Sequence, residues 1–310
     1  MNQKNRLDRF APFFVIIAAS LWGVDGIVLR PALYGLPVPL VVFLESTIVA
    51  VLLTPFFLKR FPEIRKLENK DWFVFLGIAL TGGALGTMAI TRALFYVNFV
   101  NLSIVVLIQK LQPVFAIILA AVLLRERPQK RFFIWAGLAM VGAYLLSFGI
   151  TIPAITTTDK TLLAAVFSLL AAISFGASTV LSKRGLKNVD FRLATYIRFA
   201  MTAILMGILL PLLKLTSSIS LVSTHHLLIF LLIAFTTGGS AIFLYYYGLR
   251  KISASVATIC ELSFPLTAVI LEYVLRRNIL DPFQWVGVLI LFYSIVKVSQ
   301  VKITAREPVL

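Results

Sequence analysis

The chain has 310 residues, of which 60% are hydrophobic and only 14% charged, and its mean hydropathy is +0.96. Soluble globular chains hold roughly 45–50% apolar and about 25% charged residues, so an ordinary soluble domain is excluded. The 29 Lys and Arg against 13 Asp and Glu give a net charge of +16, which on a soluble chain would suggest nucleic acid and here is read against a membrane.

A bilayer core of about 30 Å is crossed by roughly 20 apolar residues at helical rise. Stretches of that size lie at 11–29, 38–58, 72–91, 100–124, 132–150, 161–181, 191–213, 226–248, 254–275 and 282–299. The expectation is an all-α integral membrane protein of ten transmembrane helices, with tails at 1–10 and 300–310 and no room for a soluble domain. The basic start and the apolar run after it resemble a signal peptide. That run is long enough to span and no small-residue cleavage pattern follows it, so it counts as the first helix.

Orientation follows from the basic residues. With the N-terminus inside, 21 of them fall in inner segments, 6 in outer segments, and Lys110 and Arg198 within spans. Both termini are therefore expected in the cytoplasm, in a multi-pass protein of the inner or plasma membrane. The positive surplus is then topology and attraction to anionic membrane lipid, with no nucleic acid as partner.

The two halves repeat each other. Leu21-Trp22-Gly23 aligns with Ser174-Phe175-Gly176, and Thr81-Gly82-Gly83 with Thr237-Gly238-Gly239. Leu111-Gln112-Pro113 aligns with Ser263-Phe264-Pro265, and Trp135-x-Gly137 with Trp285-x-Gly287, at offsets of 153, 156, 152 and 150 residues. Five helices per unit is an odd number, so the second unit (161–299) must enter the membrane inverted relative to the first (11–150). Inverted repeats around a midplane cavity are a common plan of secondary transporters.

Five plus five helices, Trp-Gly or Phe-Gly in the first helix of each unit, Leu-Gln-Pro in the fourth, and Leu123-Leu124-Arg125-Glu126 at its end resemble the drug/metabolite transporter superfamily, in its EamA-type branch. The likeness covers about residues 12–299. It implies two inverted five-helix repeats around a central cavity, with the fifth and tenth helices peripheral. Two positions depart from the pattern: Arg277-Asn278 stands where an acid would be, and Glu45 where many relatives carry a base.

Five charged residues lie four or more residues inside the spans: Asp25, Glu45, Lys110, Arg198 and Glu261. Each costs roughly 2.5–3.5 kcal/mol at a helix centre, so each needs a partner or water. The repeat relates Glu45 to Arg198, and Gln109, the neighbour of Lys110, to Glu261. Depth suggests two ion pairs, Glu45–Lys110 and Arg198–Glu261, acting as alternating gates. Pro113 and Pro265 each free the carbonyl four residues earlier, at Gln109 and Glu261, and so are the expected helix breaks. Gln109 and Gln112 share a helical face, and Trp22 sets a flat apolar surface beside Asp25. These residues are the candidate substrate-binding or gating set.

No HExxH, Walker A loop, Rossmann glycine pattern or GxSxG is present, so no metal, cofactor or enzymatic site is expected. Lone Cys260 reads as a buried apolar residue, and His225-His226 as a solvated interfacial pair. The expectation is a secondary, non-ATP transporter working by alternating access on a small polar or amphipathic metabolite, such as an amino acid for export. Protons are a candidate coupling ion, because Glu45 and Glu261 can titrate, and the chain is read as monomer or homodimer. An integral-membrane lipid-modifying enzyme and a channel or receptor on the same scaffold are the alternatives.

Overall fold

The computed structural model describes residues 10–96, 102–152, 159–277, 279–301 and 303. Asn278, the first two residues of the expected fourth span (100–124) and most of both tails, which were expected to be cytoplasmic, lie outside them. Among the described residues the regular structure is helical, with no strand.

The helices are α1 (Ala11–Leu33), α2 (Val38–Phe57), α3 (Asn69–Ala93), α4 (Leu102–Gln109 and Gln112–Leu123), α5 (Lys130–Phe148) and α6 (Lys160–Asn188). They continue with α7 (Phe191–Leu212), α8 (Thr224–Leu249), α9 (Ala254–Cys260 and Ser263–Arg276) and α10 (Pro282–Ser299). Among the described residues nine are long and apolar enough to cross a membrane. Of α4 the described residues give a shorter apolar helix, Leu107–Leu123, and the first residues of the expected span of 100–124 lie outside them.

Local chemistry explains many of the boundaries. Asp281 and Gln284 form a reciprocal capping box at the start of α10, with Pro282 in the first turn, where its missing N–H costs nothing. Ser223 and His226 do the same at α8, which accounts for one of the paired histidines. Gly149 ends α5 at φ +58°, a conformation that glycine adopts freely.

Helices α4 and α9 are interrupted at matching places. Pro113 and Pro265 have no N–H for the carbonyls of Gln109 and Glu261, and the regular helix lapses at Lys110-Leu111 and Glu261-Leu262. At both breaks the chain tightens by one turn: Leu111 N–H bonds Ile108 O at 3.0 Å, and Leu262 N–H bonds Ile259 O at 3.1 Å.

Packing is pairwise across the halves. Helix α1 lies against α8 and α9, and α6 against α3 and α4; α2 packs on α7, and α5 on α10. Exchanging the first five helices with the last five carries this pattern onto itself. The α5–α10 crossing is close enough that Gly142 meets the Leu291 backbone and Gly287 the Leu146 backbone. Outside, large apolar side chains such as Phe56, Val122, Ile208, Leu212 and Leu289 stand exposed, where lipid hydrocarbon rather than water is the fitting solvent.

Candidate functional site

Two polar clusters occupy the interior. The first lies toward the α1–α2 connection. Residues Asp25–Leu29 of α1 form a π turn, whose i to i+5 bonding brings Arg30 over Asp25. Arg30 Nε donates to Asp25 Oδ2 at 2.5 Å, and Arg30 Nη2 to Glu45 Oε2 at 3.2 Å. Thr237 of α8 donates to the other oxygen of Asp25 at 3.1 Å. One guanidinium thus serves two carboxylates, and Asp25 is only 5% exposed.

The second cluster surrounds Glu261 at the α9 break. Tyr245 donates to Glu261 Oε1 at 2.6 Å and Thr179 to the same oxygen at 3.0 Å, while Gln112 Nε2 donates to Oε2 at 2.9 Å. Gln109 Nε2 in turn donates to Gln112 Oε1 at 3.2 Å. The network therefore joins the broken parts of α4 and α9 to α6 and α8. Trp22 packs on Tyr245 with ring centroids 5.3 Å apart, adding an aromatic wall. The glycines of the first-helix motifs admit this packing. A Cβ on Gly23 would sit 2.8 Å from Phe264 O, and one on Gly176 3.1 Å from Gln112 O, so α1 and α6 each press against the break of the opposing helix.

The expected ion pairs are not the ones formed. Glu45 pairs with Arg30 rather than Lys110, and Glu261 is held by neutral donors rather than Arg198. Depth along a helix does not fix azimuth, and the π turn turns Arg30 inward. Arg198 donates to the Tyr246 hydroxyl at 3.3 Å, and Ser182 lies 3.1 Å from that hydroxyl. Lys110 sits on the α4 break and has no ion pair among the described residues. Trp22 and Asp25 separate, one to each cluster.

Arg30, Thr179, Thr237 and Tyr245 join the clusters without having been among the residues expected from the sequence. The run Tyr245-Tyr246-Tyr247 inside an apolar span was the available signal, because buried hydroxyls need partners. Nothing in the sequence marks the π turn.

At the α8–α9 connection, Glu126 is 3% exposed and accepts from Ala254 N at 2.8 Å, Ser255 N at 3.0 Å and Ser255 Oγ at 2.6 Å. The acid at the end of α4 therefore caps the start of α9. Lys183 Nζ binds the carbonyls of Leu249 and Arg250, both at 2.9 Å, at the end of α8. A carboxylate at a helix N-terminus and an ammonium at a C-terminus each complement the local dipole.

Cys260 is fully buried. No group of three or more His, Cys, Asp or Glu among the described residues is arranged to hold a metal.

The sequence pattern of the EamA-like transporter family matches residues 9–148 and again 162–300. The chain belongs to this family. It is similar to a protein named Riboflavin transporter ImpX from Fusobacterium nucleatum, 44% identical over 92% of this chain and 96% of that one. It is also similar to Uncharacterized transporter YwfM of Bacillus subtilis, 27% identical over 92% of each chain. A solved structure described as "Crystal structure of protein" superposes with TM-score 0.73 over 93% of this chain and 95% of its own. Its 16% identity speaks for the fold alone. The chain is thus a multi-pass membrane transporter of the EamA-like family, not an enzyme.

Proposed function

We propose that the protein is a secondary transporter of a flavin or a closely related flat heterocycle, moved by alternating access between two inverted five-helix units. The observation that carries this reading is the Gln109–Gln112–Glu261 network beside Trp22 and Tyr245. Carboxamides match the donor and acceptor edge of an isoalloxazine, and aromatic side chains match its face. The relative named a riboflavin transporter points to the same chemistry. Trp22, Gln109, Gln112 and Glu261 are half-buried, as residues bordering a central cavity would be.

The helix pairings that interchange between the two halves, and the double family match, support the inverted 5+5 plan, with 11–150 and 161–299 as its units. The basic-residue asymmetry supports cytoplasmic termini and a plasma-membrane location. The Asp25–Arg30–Glu45 cluster is the gate toward the α1–α2 side, in place of a Glu45–Lys110 pair. Glu45 and Glu261 are the candidate proton carriers. The narrower expectation of an amino-acid exporter has only buried charge in its favour, and the flavin reading displaces it.

The test is growth. A riboflavin-auxotrophic bacterium without its own transporter should grow at low external riboflavin when it expresses this chain, and Trp22→Ala with Gln112→Ala should abolish that growth. No difference from the empty vector would refute the flavin reading.

A further inference from the structure

The hydrogen-bond polarity of the Glu261 network is fixed from one end. While Glu261 is ionised its carboxylate can only accept, so Gln112 then turns its nitrogen to Glu261 Oε2, the observed contact at 2.9 Å. That leaves Gln112 Oε1 as an acceptor, and Gln109 must therefore present its own nitrogen, as it does at 3.2 Å. The chain of carboxamides ends in Gln109 Oε1, which is buried and has no donor among the described residues. Thr258, one turn before Glu261, likewise has a buried hydroxyl without a partner among the described residues. An unmet buried acceptor costs about 1–3 kcal/mol. Its orientation cannot relax, because rotating the Gln112 amide would set oxygen against carboxylate, and rotating that of Gln109 would set oxygen against oxygen.

We infer that Gln109 Oε1 is the atom that accepts a lactam or imide N–H from the substrate's heterocycle, with Gln112 and Glu261 as positioning residues that hold it in the accepting orientation. This rests on the flavin reading and specifies which edge of the ring is recognised. The isoalloxazine carries one such donor, the N–H between its two carbonyls. Methylation there removes the donor while leaving the ring face and the sugar-alcohol tail intact.

The experiment measures quenching of flavin fluorescence on binding to purified full-length protein, for riboflavin, its N3-methyl derivative and lumiflavin, which lacks the hydroxylated tail. Wild type should bind the N3-methyl compound roughly 10- to 100-fold more weakly than riboflavin, the range one buried hydrogen bond spans. It should bind lumiflavin within a few-fold of riboflavin. In Gln109→Met, of similar volume, riboflavin should weaken to the level of the N3-methyl compound and the ratio should fall to about one. In Glu261→Gln the polarity is no longer dictated, and the ratio should fall severalfold with the folded state retained.

Riboflavin bound with no preference over its N3-methyl derivative would overturn the inference while leaving the flavin reading intact. So would a preference that persists in Gln109→Met, which would be steric, or loss of lumiflavin binding, which would place the donor in the tail. The comparison of ligands on wild type does not depend on any variant folding. No riboflavin binding at all would overturn the flavin reading, and this inference with it.

Discussion

Replacing Glu126 by Gln should destabilise the protein far more than its conservative shape suggests. The carboxylate meets three donors, two of them backbone N–H groups in the first turn of α9. A carboxamide keeps one acceptor oxygen and turns an NH2 group toward a donor, leaving at least one buried N–H unmet, at about 1–3 kcal/mol. Loss of the negative charge at a helix N-terminus adds roughly 0.3–1 kcal/mol. The total is about 1–4 kcal/mol, which for a chain of this size lowers the melting temperature by on the order of 3–10 °C. Cys260 is a built-in reporter, being the single cysteine and fully buried. A maleimide dye that fluoresces on reacting with thiol will follow its exposure on heating. Ser255→Ala, which removes only the hydroxyl contact, should shift the transition by about 2–3 °C, as one ordinary hydrogen bond does. A shift for Glu126→Gln no larger than that of Ser255→Ala would refute the view that this carboxylate fastens α4 to α9.

Arg30→Met leaves Asp25 and Glu45 without their shared cation and should cost about 3–5 kcal/mol, seen as a large fall in thermal stability. Adding Asp25→Asn and Glu45→Gln should restore part of the loss, and no recovery in the triple variant would contradict the cluster. The glycines aligned by the repeat should respond in opposite ways. Gly287→Ala would push a methyl into the Leu146 backbone and lower the melting temperature, whereas Gly137 has open space and Gly137→Ala should be neutral or stabilising by up to about 1 kcal/mol. Similar losses at both would be evidence against the α5–α10 crossing. For orientation, a cysteine at Lys59 or Arg127 should be shielded from an impermeant thiol reagent in intact cells, while one at Lys160 should react. Labelling at Lys59 would reverse the topology.

Hydropathy carries most of the architecture of this protein, because in a bilayer each helix must be apolar over its whole length. The interruptions were legible too, since Pro113 and Pro265 remove identifiable hydrogen bonds. Charge pairing was not. Asp25 and Arg30 fall on different faces of a regular α-helix, and only the π turn superposes them. Glu261 has complementary charge in Arg198 but is satisfied by Tyr245, Thr179 and Gln112, three neutral donors whose approach depends on how α6 and α8 pack. The role of Glu126 was visible only as a motif position, because its partners lie in the other half of the chain.

Counterflow in proteoliposomes tests the central claim most directly. Vesicles containing the purified protein and loaded with millimolar riboflavin, with no nucleotide present, should accumulate trace external labelled riboflavin transiently above equilibrium. Gln112→Ala should abolish the overshoot, and protein-free vesicles should show none. Simple equilibration without an overshoot would indicate a channel, and no protein-dependent uptake would contradict the assignment of a flavin to this carrier.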